Sequence, residues 1–159
     1  MADTIREQII KAIIAKLARV KKASLFETDC GLNVHREKSR LNPQTDLDCF
    51  VVFPGSETTT RGGGYVSCTM EIAIEGHVVF GAIPPSIVKE QILGDVIKIM
   101  TDRKTITDTT NGLADDVNYA GGGGTASAEA GDISIGVPTV FQVKYRFKSG
   151  DPFSSPNQN

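Results

Sequence analysis

The sequence predicts an α+β domain, with a mixed or antiparallel sheet of about four to five strands and two amphipathic helices packed against it. Three observations carry that expectation. From Tyr65 to Phe80, Val66, Cys68, Met70, Ile72 and Ile74 alternate with Ser67, Thr69, Glu71, Ala73 and Glu75, and side chains two apart share one face of a strand. The stretch Thr139 to Phe147 repeats the alternation. Two other segments, one at the start of the chain and one after Pro84, space their apolar residues for a helix. A strand with one apolar face needs backbone partners and a cover, and the helices supply the cover.

In chain order, Thr4 and Glu7 have the spacing of a capping box, so a helix is expected to begin there. Ile5, Ile9, Ile13 and Leu17, with Ile10, Ile14 and Val20, form its apolar stripe. Arg6, Gln8, Lys11, Lys16 and Arg19 fall mostly off that stripe, and Lys21 and Lys22 suit the negative end of the helix dipole. Residues 23–44 read as an irregular crossing with room for one short strand. Cys49 to Phe53 is an unbroken apolar run closed by Pro54 and Gly55, as expected for a strand covered on both faces.

Ser56 to Gly64 reads as a polar, mobile loop that feeds the long strand as a hairpin. Pro84, Pro85 and Ser86 open the second helix, where missing first-turn donors do no harm. Its stripe is Ile87, Val88, Ile92, Val96, Ile99 and Met100, widened by Leu93 and Ile97, with Lys89, Glu90, Asp95 and Lys98 outside. Gly94 costs on the order of 1 kcal/mol in helix propensity against alanine, which predicts a close packing contact. Residues 105–136 then read as a long acidic loop, rich in Gly, Asp, Asn and Thr and carrying Asp108, Asp115, Asp116, Glu129 and Asp132. Loops beyond about 12–15 residues in a compact domain tend to be functional or disordered. After the last strand, Gly150, Asp151 and Pro152 make a turn, and residues 154–159 read as a frayed tail.

The totals are consistent with one domain over residues 1–153. A chain of 159 residues that is 40% hydrophobic can bury about 68–70% of its unfolded surface. Cys30, Cys49 and Cys68 are odd in number and lack CxxC spacing, which favours reduced packing residues and synthesis inside a cell. Arg6, Glu7 and Lys11 interrupt any signal-peptide core, and no apolar run approaches 18 residues. The net charge of −2 hides an asymmetry: residues 1–40 carry +4 and the remainder −6. That balance does not make a general nucleic-acid footprint.

The chemistry-bearing residues do not assemble into a catalytic pattern. Cys30, His35, Cys49, Cys68 and His77 lack the paired spacing of a zinc site, and Cys30 with His35 is a weak thiol and base pair. The run Gly121 to Gly124 lacks the Gly-Lys-Ser/Thr ending of a phosphate loop, and Arg61-Gly62-Gly63-Gly64 precedes a strand rather than a helix. Asp115 and Asp116 are adjacent carboxylates in a polar context, better read as an exposed acidic surface than as a general acid and base. No catalytic residue, cofactor or metal is expected.

The order of elements and the ending Val143-Lys144-Tyr145-Arg146-Phe147 before Gly150-Asp151-Pro152-Phe153 resemble the tail terminator family of long-tailed bacteriophages, also called minor tail protein U or tail completion proteins. The resemblance covers most of the chain in order and spacing, without a catalytic signature. The chain departs from it in a longer glycine-rich segment before the last strand, and in Asp48-Cys49 where relatives often carry a proline. The resemblance implies a structural virion protein, assembled in the host cytoplasm, that forms a ring of six copies on the tail tube. Such a ring stops tube growth and offers a surface to the head-tail connector or neck protein. DNA would pass through its lumen without specific binding, and an acidic lining would keep it from sticking. The expected contacts with tube and neighbours lie in the two loops, at Arg61, Gly62, Gly63, Gly64, Asp115, Asp116, Tyr119 and Glu129. The alternatives are another neck or head-completion protein, or a small ligand-binding or hydrolytic α+β protein.

Overall fold

Thr4 starts the first helix as its spacing predicts. In the computed structural model, which describes residues 1–102, 112–124 and 134–156, the Thr4 hydroxyl accepts from the Glu7 amide at 3.2 Å and α1 runs Ile5–Leu17. The Glu7 carboxylate accepts from Arg36 at 2.7 Å. Ile5, Ile9, Ile10, Ile13 and Leu17 are buried, each contributing about 1.5–3 kcal/mol relative to exposure. Lys16 corrects the expected stripe: it is only 3% exposed.

Five strands form one sheet: β1 (Val34–Arg36), β2 (Cys49–Gly62), β3 (Tyr65–Val79), β4 (Ala114–Gly122) and β5 (Ser134–Lys148), in the order β1-β2-β3-β5-β4. β1 lies parallel to β2 and every other pair is antiparallel. The sheet is therefore mixed, and with α1 and α2 (Pro85–Thr101) the fold is α+β. Cys49, Phe50, Val51 and Val52 are all buried, so that stretch of β2 is covered on both faces. In β3 the predicted residues Val66, Cys68, Met70, Ile72 and Ile74 point into the core, where they meet Val137, Phe141, Val143 and Tyr145 of β5. Helix α2 closes the layer through Val88, Ile92, Val96, Ile99 and Met100.

Gly76 shows why the helix can lie so near the sheet: a Cβ there would sit 2.3 Å from Ile92 Cγ2 and 3.2 Å from the Phe50 ring. Gly94 does the opposite of what its sequence context predicts. It is exposed, and a Cβ on it would meet nothing within 4 Å.

Both expected loops are corrected. Residues 56–62 belong to β2, because Thr58, Thr59 and Thr60 are β-branched and pair with Thr69, Cys68 and Ser67. Within residues 105–136, β4 occupies Ala114–Gly122 and β5 already begins at Ser134. Leu113, Ala114 and Val117 are buried there, and β4 completes the far edge of the sheet. Residues 154–156 of the expected frayed tail are held in place, whereas residues 157–159 lie outside the described residues. The Lys148 amide donates to Ser154 O at 2.9 Å, Ser155 is buried, and the Ile5 amide donates to Pro152 O at 2.9 Å, which ties the start of α1 to the turn after β5.

Candidate functional site

In the far half of the β2–β3 hairpin the β2 arm is exposed at nearly every position, while Val66, Cys68 and Met70 of β3 still face the core. β1 flanks only Phe50 to Val52 of β2. Among the described residues no strand pairs with the outer edge of β2 from Phe53 to Gly62. The bulge between Pro54 and Glu57 redirects this half. Arg6 of α1 holds the bend from below, with Nη2 donating to Gly55 O at 2.6 Å and Nη1 3.1 Å from Glu57 Oε2. Tyr145 OH donates to the same carboxylate oxygen at 2.5 Å. Burial first, and then this carboxylate, push the Tyr145 hydroxyl pKa well above its ordinary value, so it remains a donor.

At the tip, Gly62 pairs with Tyr65, leaving a two-residue turn of Gly63 (φ 60°) and Gly64 (φ 81°). Positive φ at both positions is the type I′ geometry that suits strand twist and favours glycine. The Ser149 amide donates to Gly64 O at 2.9 Å, which ties the turn to the end of β5. Arg61, Gly62, Gly63 and Gly64 are therefore gathered at one exposed tip, but on a fixed hairpin rather than a mobile loop.

The acidic candidates lie on β4, which β3 and β5 separate from β2, although Asp115 reaches the sheet-face cleft that Thr58 and Thr60 of β2 also line. Asp115 accepts from Arg146 at 2.9 and 3.2 Å and raises the guanidinium pKa further, so its charge is offset rather than presented. Asp116 accepts from the Val117 amide and from Asn118 Nδ2, both at 3.0 Å. Tyr119 leans on Phe141 with ring centroids 5.6 Å apart. Glu129 lies outside the described residues.

Two surfaces were not legible as sites. On the sheet face, Thr60, Ser67 and Arg146 form one cross-strand row and Thr58, Thr69 and Lys144 the next, around a shallow cleft of about 250 Å³. Their period-two spacing was visible, but only once residues 56–62 are read as strand. The second surface is a cleft of about 380 Å³ between α2 and the Leu25–Glu27 segment, lined by Leu25, Glu27, Ile87, Glu90, Gly94 and Lys98. Asp95 secures that wall, accepting from the Glu27 amide at 3.0 Å and from the Thr28 amide and hydroxyl at 2.8 Å. It is 3% exposed, against the expectation of a solvent-facing helix position. Lys98 adds a bond to Leu25 O at 2.9 Å and sits 4.6 Å from the Phe26 ring centroid.

The thiols are placed for packing. Burial pushes Cys30 and Cys49 up to about 12 and raises Cys68, so none is a ready thiolate at neutral pH. Cys30 Sγ lies against His77 O, while His35 faces Asp46 at 3.8 Å. Among the described residues no three His, Cys, Asp or Glu side chains gather as metal ligands. No helix in the described residues is long and apolar enough to cross a membrane. No family model and no curated protein matches the chain.

Proposed function

We propose that this chain is a structural, non-enzymatic protein of a phage tail. Six copies form a ring on the tube's head-proximal end, stopping tube growth and offering a surface to the connector or neck protein. The reading begins from the resemblance in element order and closing strand. The structural observation that supports it best is the stiff β2–β3 hairpin with its outer edge from Phe53 to Gly62 unpaired among the described residues. Monomeric proteins usually blunt such an edge, whereas assembly proteins use it for strand addition. β4, at the other side of the sheet, is bulged at both ends and carries Asp115 and Asp116, which fits a blunted edge. A molecule with one receptive and one blunted edge associates through unlike surfaces, and such contacts close into rings when the rotation allows.

In this reading DNA slides through the lumen without specific contacts. Because Asp115 is neutralised by Arg146, repulsion of DNA falls to other carboxylates, of which Asp116 is exposed. The test is to add the purified protein to tail-tube subunits during polymerisation and image the products by negative-stain electron microscopy. Tubes of arrested length bearing a disc at one end are expected. Uncapped tubes that continue to grow would overturn the reading, and a protein that binds the connector without halting growth would mark a neck component instead.

A further inference from the structure

The geometry points to a specific contact between copies: we propose that the hairpin tip around Arg61 to Tyr65 docks into the cleft between α2 and the Leu25–Glu27 segment of a second copy. The inference rests on the ring reading above and names the two surfaces that would meet.

Three features shape the cleft, the first being the left-handed residue that ends the short 3-10 turn Lys22–Ser24, where the Leu25 amide donates to Lys22 O at 3.2 Å. Leu25 is 85% exposed and sits at φ 66°, a left-handed conformation that a leucine rarely adopts. Such an outlier persists where surrounding contacts over-determine it, and it is a pointer to function. Here Lys98 and Asp95 hold the segment from both sides. Ile87 is 50% exposed on the opposite wall, although it stands in the helix's apolar stripe. Gly94 gives up helix stability and packs against nothing described, leaving the wall between them smooth. Together these make a preformed apolar slot with the exposed carboxylates Glu27 and Glu90 on it.

The tip has the complementary shape and charge. From Thr58 to Tyr65 the only charged side chain is Arg61, and it is exposed. Three glycines keep the end of the hairpin slender, and Tyr65, 37% exposed, offers an apolar ring beside the turn. An Arg and a Tyr flanking a narrow turn are the residue types that dominate binding energy in interfaces.

A second copy, rather than the chain's own tip, is the occupant. Tyr65 begins β3 and Val79 ends it, and a strand of that length spans up to about 50 Å. The cleft lies beyond the Val79 end, because Glu27 and Gln91 line both it and a smaller neighbouring hollow that includes Val78 and Val79. A chain therefore cannot reach its own slot with its own tip. The two surfaces occupy opposite ends of the molecule, as a head-to-tail interface requires.

Charge reversal in the full chain tests the pairing, with assembly followed by sedimentation velocity over a concentration series, alone and with tail tubes. Arg61→Glu should raise the concentration needed for assembly about tenfold or more, as should the double variant Glu27→Lys/Glu90→Lys. Combining all three substitutions should restore assembly to near the wild-type concentration. All three positions are exposed, and unchanged melting temperatures of the monomers will show that folding is intact. If the wild type assembles and Arg61→Glu assembles equally well, this contact is overturned while the ring stands. Loss in the single-surface variants without recovery in the combination also overturns it. A wild type that stays monomeric in every condition removes both proposals.

Discussion

Lys16 is the residue whose environment departs furthest from its sequence pattern. It stands next to Leu17 in the buried turn of α1, and at 3% exposure its ammonium is poorly hydrated. Burial lowers its pKa from 10.5 to about 8, opposed by the carboxylate of Asp102 and assisted by Arg19. The sign of the linkage follows. Between pH 8 and 10.5 the unfolded chain binds more protons than the folded one, so stability rises with pH across that window. Below pH 8 the folded protein carries the whole penalty of holding a buried ammonium. Lys16→Met keeps the unbranched stem and removes the charge, so it should melt a few degrees above wild type at pH 7. The gap should narrow between pH 8 and 10.5 in a series of thermal melts. A gap that is constant with pH would mean that the ammonium is solvated and that burial of the stem alone sets the effect. Spacing put Lys16 off the stripe, and nothing in sequence distinguishes a lysine that leans over the core from one that points away.

At the scale of elements, Asp95 does more than occupy a helix position. Its carboxylate takes three hydrogen bonds from Glu27 and Thr28, joining α2 to the segment that follows α1. Removing it strands two backbone amides and a hydroxyl in a buried place. Asp95→Ala should therefore cost about 2–4 kcal/mol in denaturant unfolding, and Thr28→Ala, which removes one of the three bonds, should cost less. Equal losses would show that the amides find other partners. The same comparison explains what was readable in advance. Both helices, the alternation of β3 and the buried start of β2 follow from local periodicity, and all are present. Sequence and structure diverge where composition masks periodicity. Thr58 to Thr60 looked like loop because they are polar, yet β-branching and cross-strand pairing make them strand. β4 was hidden because only Leu113, Ala114 and Val117 of its vicinity are buried, too few to set a pattern against its bulges. The Leu25–α2 cleft was invisible because it is built from a conformation at Leu25 and an unpacked side of Gly94, neither of which a sequence displays.

For the whole molecule, the arrangement separates a stable body from a presenting edge. The Ile5 amide bonds to Pro152 O, tying the start of α1 to the turn after β5, and Arg6, Glu57 and Tyr145 fix the hairpin at its bend. A fixed hairpin loses little conformational freedom on docking, which favours a regular assembly with one angle between neighbours. Among the described acidic candidates, Asp115 is paired with Arg146 and Asp116 accepts from the Val117 amide and Asn118, which leaves β2 and its tip as the presenting surface of the proposed assembly. The central functional claim is closure: unlike surfaces on one chain, repeated around an axis. The most direct measurement is negative-stain electron microscopy of the purified protein across a concentration series, with particles classified by rotational symmetry. Closed rings of six with an open centre are predicted to dominate at high concentration. Monomers at every concentration, or open chains of unlimited length, would contradict it.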